Sequence, residues 1–295
     1  SLQAWLPVVD TVKRTALGGN YTMAMTHAVA GDDKPQGYSY GAFKVGPTGL
    51  ASGSLKMADA SVITFANIPV GDAGSFQIFT LLYGNTGSVH GSINIDTTDN
   101  NKLNASALGW TKKFQTAANR YFKSGFGPLD LTTFGRRYTI PTTGTLAMGL
   151  TAGPGNAKLV FTDDPAPSLA SRLDISALEI KAGSPSPVVL PTTVTATATN
   201  GSHAKMTLSV VPGSGVTFTA GSTGLVSGLT TLVDQNPMVV ATSLVPRSNY
   251  FYGMIVDDGS GPPHKAYGFV LIQELPSASF TALTSPYHSA KVVLS

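Results

Sequence analysis

Cysteine is absent from this chain of 295 residues, which removes disulfides, thiolate nucleophiles and cysteine-ligated zinc or iron–sulfur centres together. A chain of that length can build an adequate core without such staples. Charge is scarce as well, with Asp, Glu, Lys and Arg at 12% of residues against about 25% in an average soluble domain. No apolar run approaches the ~18 residues of a membrane helix, so no helical membrane span is expected. The opening Ser1-Leu2-Gln3-Ala4-Trp5-Leu6 lacks the basic and then apolar pattern of a secretory leader, so a leader is expected to lie upstream or to have been removed.

The common signatures of chemistry are missing too. There is no Gly-x-Ser-x-Gly elbow, no His-Glu-x-x-His, no Gly-Lys-Ser/Thr phosphate loop and no Gly-x-Gly-x-x-Gly opening a helix. The five histidines (His27, His90, His203, His264, His288) show no helical ligand spacing, so no metal site is expected from them. Asp59, Asp72, Asp130, Asp174 and Glu179 supply no carboxylate pair that sequence can place at a glycosidase separation. The Asp96/Asp99 and Asp257/Asp258 clusters offer oxygens for calcium, but neither follows the EF-hand order, and Asx-type turns are the expected reading. The chain is expected not to be an enzyme and to need no cofactor.

What is present is β patterning. Hydrophobic residues make up 42% of the chain and Gly numbers 32. Period-two alternation marks half-buried strands at Tyr21, Met23 and Met25, at Val89, Gly91, Ile93 and Ile95, and at Ala204, Met206, Leu208 and Val210. Turn sequences separate them at 46–49, 84–87, 96–101, 212–215 and 257–263. The expected fold is all-β, with antiparallel meanders forming a barrel-like or sandwich-like architecture. One stretch, 110–122, also carries helical spacing, against which Gly125 and Gly127 weigh. The Pro-rich stretches 164–168 and 184–187, with Pro191, read as extended connectors.

Residues 46–53 (Gly-Pro-Thr-Gly-Leu-Ala-Ser-Gly) and 221–228 (Gly-Ser-Thr-Gly-Leu-Val-Ser-Gly) suggest two diverged copies of one β unit. Gly49 and Gly224 then serve tight turns, and Gly53 and Gly228 serve bulges or bends within strands. The organisation that follows is a lead-in at 1–16, a first β unit at 17–124, a connecting β/Pro-rich segment at 125–200 and a second β unit at 201–295.

Thr48-Gly-Leu-Ala-Ser-Gly-Ser-Leu55, Phe76-Gln-Ile-Phe-Thr-Leu-Leu-Tyr83, Gly87-Ser-Val-His-Gly-Ser-Ile93, Tyr121-Phe-Lys-Ser-Gly-Phe126 and Thr223-Gly-Leu-Val-Ser-Gly228 together resemble β-repeat modules of large exported proteins from verrucomicrobial and planctomycetal bacteria. Tyr267-Gly-Phe269 and Ser289-Ala-Lys-Val-Val-Leu294 extend the likeness from about Gly18 to the C-terminus. The chain departs from that pattern at Leu55-Lys-Met-Ala-Asp-Ala60, where the modules end in Gly. The resemblance implies an extracellular or cell-surface setting and supplies no catalytic residues.

The net charge is +3, but 110–138 concentrates six cations against the single acid Asp130 and interleaves them with seven aromatics. Trp110, Lys112, Lys113, Tyr121, Arg136 and Arg137 are the candidate binding residues drawn from it. No nucleic-acid motif accompanies them. The function expected is a structural or adhesive module whose partners are other protein chains, neighbouring domains or copies of itself. The alternative is a carbohydrate-binding module, decided by whether the aromatics around Trp110 are exposed on one plane or buried.

Overall fold

A computed structural model describes residues 8–31, 33–116, 120–140, 144–162, 173–180, 188–189, 194–196, 206–209, 217–219, 224–236, 238, 244–281 and 283–295. The Pro-rich stretches 164–168 and 184–187, Pro191, His203, Ala204, Val210, the 212–215 turn and Thr223 lie outside the described residues, as does Trp5. The chain is all-β apart from short helical pieces. The helix α1 (Thr11–Leu17) starts where the Asp10 carboxylate accepts the N–H groups of Val12 and Lys13, and it delivers Leu17 to the core.

The first sheet contains β1 (Gly19–Thr26), β2 (Ser39–Val45), β3 (Leu50–Lys56), β4 (Val62–Pro69), β5 (Ser75–Leu82), β6 (Gly87–Asp96), β7 (Lys102–Lys112) and β8 (Phe126–Arg137). Its order is β4-β3-β2-β1-β8-β7-β6-β5, antiparallel throughout. Pairing β1 with β8 curls the meander into a nearly closed barrel whose ends, β4 and β5, meet at a seam. Alternate residues point inward, among them Tyr21, Phe43, Leu55, Phe76, Ile93 and Trp110, and they fill the interior. Among the described residues no ladder joins β4 to β5. The Gly71–Ser75 turn holds one end of the seam, and the Phe65 and Phe76 rings approach across it at 5.9 Å.

The second sheet contains β9 (Ala157–Thr162), β10 (Leu173–Ile180), β11 (Val188–Val189), β12 (Val194–Ala196), β13 (Met206–Ser209), β14 (Thr217–Thr219), β15 (Leu225–Gln235), β16 (Leu244–Val256), β17 (Lys265–Gln273) and β18 (Tyr287–Leu294). Its order is β11-β10-β9-β18-β17-β16-β15-β13-β12, with β14 also on β15, and it forms a half-barrel. One face carries its own core around Phe161, Phe251 and Val292. The other packs Met254, Tyr267, Phe269 and Leu271 against Ala24, Tyr40 and Ala58 on the outside of the barrel. Backbone bonds fasten the junction, from Tyr38 N–H to Gly268 O at 3.1 Å and from Gln36 N–H to Ser289 O at 3.2 Å.

The structure revises one element of the organisation read from the sequence and decides another that the sequence left open. The 125–200 segment is no connector, because its β8 completes the first sheet while β9 to β12 belong to the second. The 110–122 stretch holds no helix in its described part: β7 runs to Lys112, and its inward row of Leu108, Trp110 and Lys112 follows a period of two. The described helix α1 falls instead in the lead-in.

Gly49 and Gly224 share local geometry, but the strands that follow them do not share topology. Gly49 and Gly224 both have left-handed φ (+76° and +66°), and each carbonyl accepts an amide from the chain beside the strand that follows it, from Val70 just after β4 at 2.9 Å and from Ile255 of β16 at 2.8 Å. Beyond that point β4 ends its sheet, whereas β16 continues into β17, so two copies of one unit are not confirmed. Gly53 does lie at a shift in the β3–β4 register. Gly228 does not mark a bulge; it stands opposite Phe251 in an unbroken ladder.

Candidate interaction surfaces

Trp110 and Lys112 do not form a binding face. Trp110 is 0% exposed, and Lys112 is buried beside it on the inward row of β7. They belong to a side-chain clasp at the end of the seam opposite the Gly71–Ser75 turn. The Tyr83 hydroxyl donates to Asp59 Oδ2 at 2.6 Å and accepts from Trp110 Nε1 at 3.0 Å. Ser61 donates its N–H and its hydroxyl to Asp59 Oδ1. Lys112 Nζ lies 3.6 Å from Asp59 Oδ2, donates to Tyr121 O at 2.6 Å and sits 4.5 Å from the centre of the Tyr83 ring.

Burial pushes the Lys112 ammonium below the ordinary lysine value, while the nearby Asp59 pulls it back up. Burial and then the Asp59 charge push the Tyr83 phenol well above its ordinary range, so it remains a proton donor. Asp59 comes from the turn after β3 and Tyr83 from the end of β5, so this network joins the two strands where the backbone ladder is missing.

The other predicted cations are dispersed. Arg136 donates to the Asp99 carbonyl at 2.6 Å and to its carboxylate at 3.2 Å, fastening the β6–β7 turn to β8. Arg137 donates to Ala16 O at the end of α1 and lies over the Tyr21 ring. Tyr121 is 37% exposed and stacks on Tyr287 of the second sheet. Lys113 is exposed and lines a groove of about 640 Å³ with Leu81, Thr86, Phe114, Phe126 and Pro128.

That groove opens beside an edge that sequence reasoning did not find. β5 ends the first sheet, keeps an uninterrupted register with β6 from Ser75↔Asn94 to Leu82↔Gly87, and holds no charge, proline or bulge. Its outward residues Phe79 and Leu81 are 69% and 51% exposed, and Phe114 across the groove is exposed as well. β4 is blunted by contrast: its register against β3 shifts, Asn67 has φ +57°, and Pro69 ends it. Natural sheets protect edges with such devices, and β5 lacks them. The eight residues Ser-Phe-Gln-Ile-Phe-Thr-Leu-Leu carry a legible sign in their missing charge, but their edge position depends on the whole topology.

The Asp clusters serve their own turns. Asp96 Oδ1 accepts from Thr98 N–H and Asp99 N–H, Asp257 from Gly259 N–H, and Asp258 from Ser260 N–H and the Tyr267 hydroxyl. Among the described residues no three His, Asp or Glu side chains gather. His27 bonds the Pro35 carbonyl and His288 meets Glu274.

No family model and no curated protein matches the chain. Among solved structures, it is similar to a protein of unknown function from the DUF3598 family of Nostoc punctiforme, at 8% identity over 97% of this chain and 98% of that one, with a TM-score of 0.20. A likeness of that size carries no functional argument.

Proposed function

We propose that this chain is a non-catalytic structural or adhesive module of a secreted or cell-surface bacterial protein, and that it works by pairing the β5 edge with a strand of a neighbouring copy. The observation that carries this reading is the regular, uncharged β5 with Phe79 and Leu81 exposed on it, an edge that lacks the bulge and terminal proline of β4. Two copies related by a two-fold axis would satisfy each other's edge amides and cover both pairs of apolar side chains. Lys113 and Lys123 at the groove favour acidic residues on the segment beside the incoming strand. A carbohydrate site built on Trp110 is set aside, because that ring is packed inside the barrel.

Sedimentation velocity across a concentration series tests the proposal. The native chain is expected to form a concentration-dependent dimer, and Phe79→Lys with Leu81→Lys is expected to leave a monomer of unchanged melting temperature. A native chain that stays monomeric at the highest concentrations, or a double variant that dimerises as well as the native chain, would sink the association reading.

A further inference from the structure

The face of the second sheet that meets the barrel extends beyond the contact. Tyr250 and Tyr252, two apart on β16, both project from it, with ring centroids 6.4 Å apart and planes 18° from parallel. The register sets Phe269 opposite Tyr252, Lys291 opposite Phe269 and Tyr287 opposite Gln273, so Tyr287 belongs to the same face. Tyr121, arriving from the β7–β8 connection of the barrel, lies flat on Tyr287 at 4.7 Å and 14°. Two cations accompany the rings. Lys56 Nζ, from the end of β3, is 3.2 Å from the centre of Tyr252, and the Arg120 guanidinium is 4.8 Å from the centre of Tyr287.

Tyr252 is half-buried among core residues, but Tyr250 is 55% exposed, and Pro246 and Ser248, which precede it on the same face of β16, are exposed as well. Four tyrosines in two near-parallel pairs give flat, sequential stacking surfaces of the kind that hold the C–H faces of sugar rings. The neighbouring cations suit carboxylate or sulfate substituents on those rings. Glu274 does not oppose this, because it pairs with His288, which alternates to the opposite face of β18 from Tyr287. The sequence had placed Tyr121 among binding residues; the structure supplies it with partners from the other sheet.

We infer that this tyrosine and cation face binds an anionic polysaccharide, with Tyr250 and Tyr121 as the exposed stacking rings and Lys56 as the charge partner, while Arg120, whose Nε donates to Ser285 O at 2.9 Å, fixes the Tyr287 ring and adds positive potential behind it. The site is separate from the β5 edge.

Affinity electrophoresis and calorimetry of the full chain, with polygalacturonate, dextran sulfate and neutral dextran as probes, test the inference. Binding to at least one polyanion and not to neutral dextran is expected, and the two charged probes separate carboxylate from sulfate recognition. Tyr250→Ala retains every charge and is expected to weaken binding about tenfold, the scale of one lost ring contact. Raising salt from about 0.05 to 0.5 M should weaken binding without abolishing the Tyr250 effect.

The inference is overturned if neither polyanion binds, if Tyr250→Ala binds as tightly as the native chain, or if a single-stranded oligonucleotide binds more tightly than either glycan. The Phe79→Lys/Leu81→Lys variant should keep glycan affinity, so failure of the association reading and failure of this one are told apart.

Discussion

Removing one oxygen atom from the seam should measure how much the side-chain clasp contributes. In Tyr83→Phe the ring remains, but the hydroxyl that donates to Asp59 at 2.6 Å and accepts from Trp110 at 3.0 Å is gone. A hydrogen bond to a charged acceptor contributes about 1.5–3 kcal/mol, and leaving the buried Trp110 N–H without an acceptor costs about 1–3 kcal/mol more, with partial overlap between the two. The expected loss is therefore about 3 kcal/mol. For a chain of 295 residues this corresponds to a melting temperature lower by roughly 5 °C. Urea unfolding followed by tryptophan fluorescence gives the free energy, and differential scanning calorimetry gives the temperature.

Tyr250→Phe is the control, since an exposed hydroxyl should count for less than about 0.5 kcal/mol. Lys112→Met alone strands the Asp59 charge and should cost about 3–5 kcal/mol, whereas Lys112→Met with Asp59→Leu should recover much of that loss. A Tyr83→Phe protein no less stable than the control, or a double variant as damaged as the sum of its parts, would refute the claim that these groups act as one buried unit closing the barrel.

Two further outcomes follow from local geometry. Gly268→Ala drives a Cβ into the Tyr252 carbonyl oxygen, against backbone that cannot yield cheaply, so it should destabilise by at least about 3 kcal/mol or prevent soluble expression. Gly84→Ala, with no atom within 4 Å of its Cβ but a φ of +63°, should cost only about 1 kcal/mol in the same urea assay. Burial alone would raise the Asp258 pKa, but hydrogen bonds from Ser260 and Tyr267 and the charge of Lys265 outweigh it and hold the carboxyl at about 2, below its ordinary 3.8. Its contribution is therefore complete above about pH 4 and is lost as the pH falls toward 2; Asp258→Asn should flatten the stability profile in that window and leave pH 6 to 9 unchanged in slope.

Much of the fold was legible because strand signals are local. Tyr21, Met23 and Met25 alternate into β1, and the Pro-Thr-Gly turn at 47–49 is where β2 returns as β3. The Asp-rich turns at 96–101 and 257–263 also fall between paired strands. Pairing across long separations was not local, so neither the β1–β8 closure nor the reassignment of β8 to the first sheet could be read. The basic segment misled for a physical reason. A lysine normally stays at a solvated face, and here Lys112 continues an inward row because an acid on a different hairpin, Asp59, meets it in the interior. Tyr250, Tyr252 and Tyr287 likewise became a set only when β16, β17 and β18 were laid side by side, which brought Tyr121 to them from the other sheet.

The place of β18 in its sheet sets a timetable for the chain as it is made. All eight barrel strands lie between Gly19 and Arg137, so they can pair as soon as that stretch has emerged. β9 is the next strand to emerge, yet one of its two neighbours is β18, with Thr162 opposite Lys291. During synthesis β9 and β10 must wait with that side open while β11 to β17 appear, and the half-barrel is bridged only when residues 287–294 arrive. Contacts that close so late are slow to form and leave strand edges bare in the interval. The finished barrel presents Ala24 and Tyr40 on its outer wall, a template on which Met254 and Phe269 can settle before the last strand seals them.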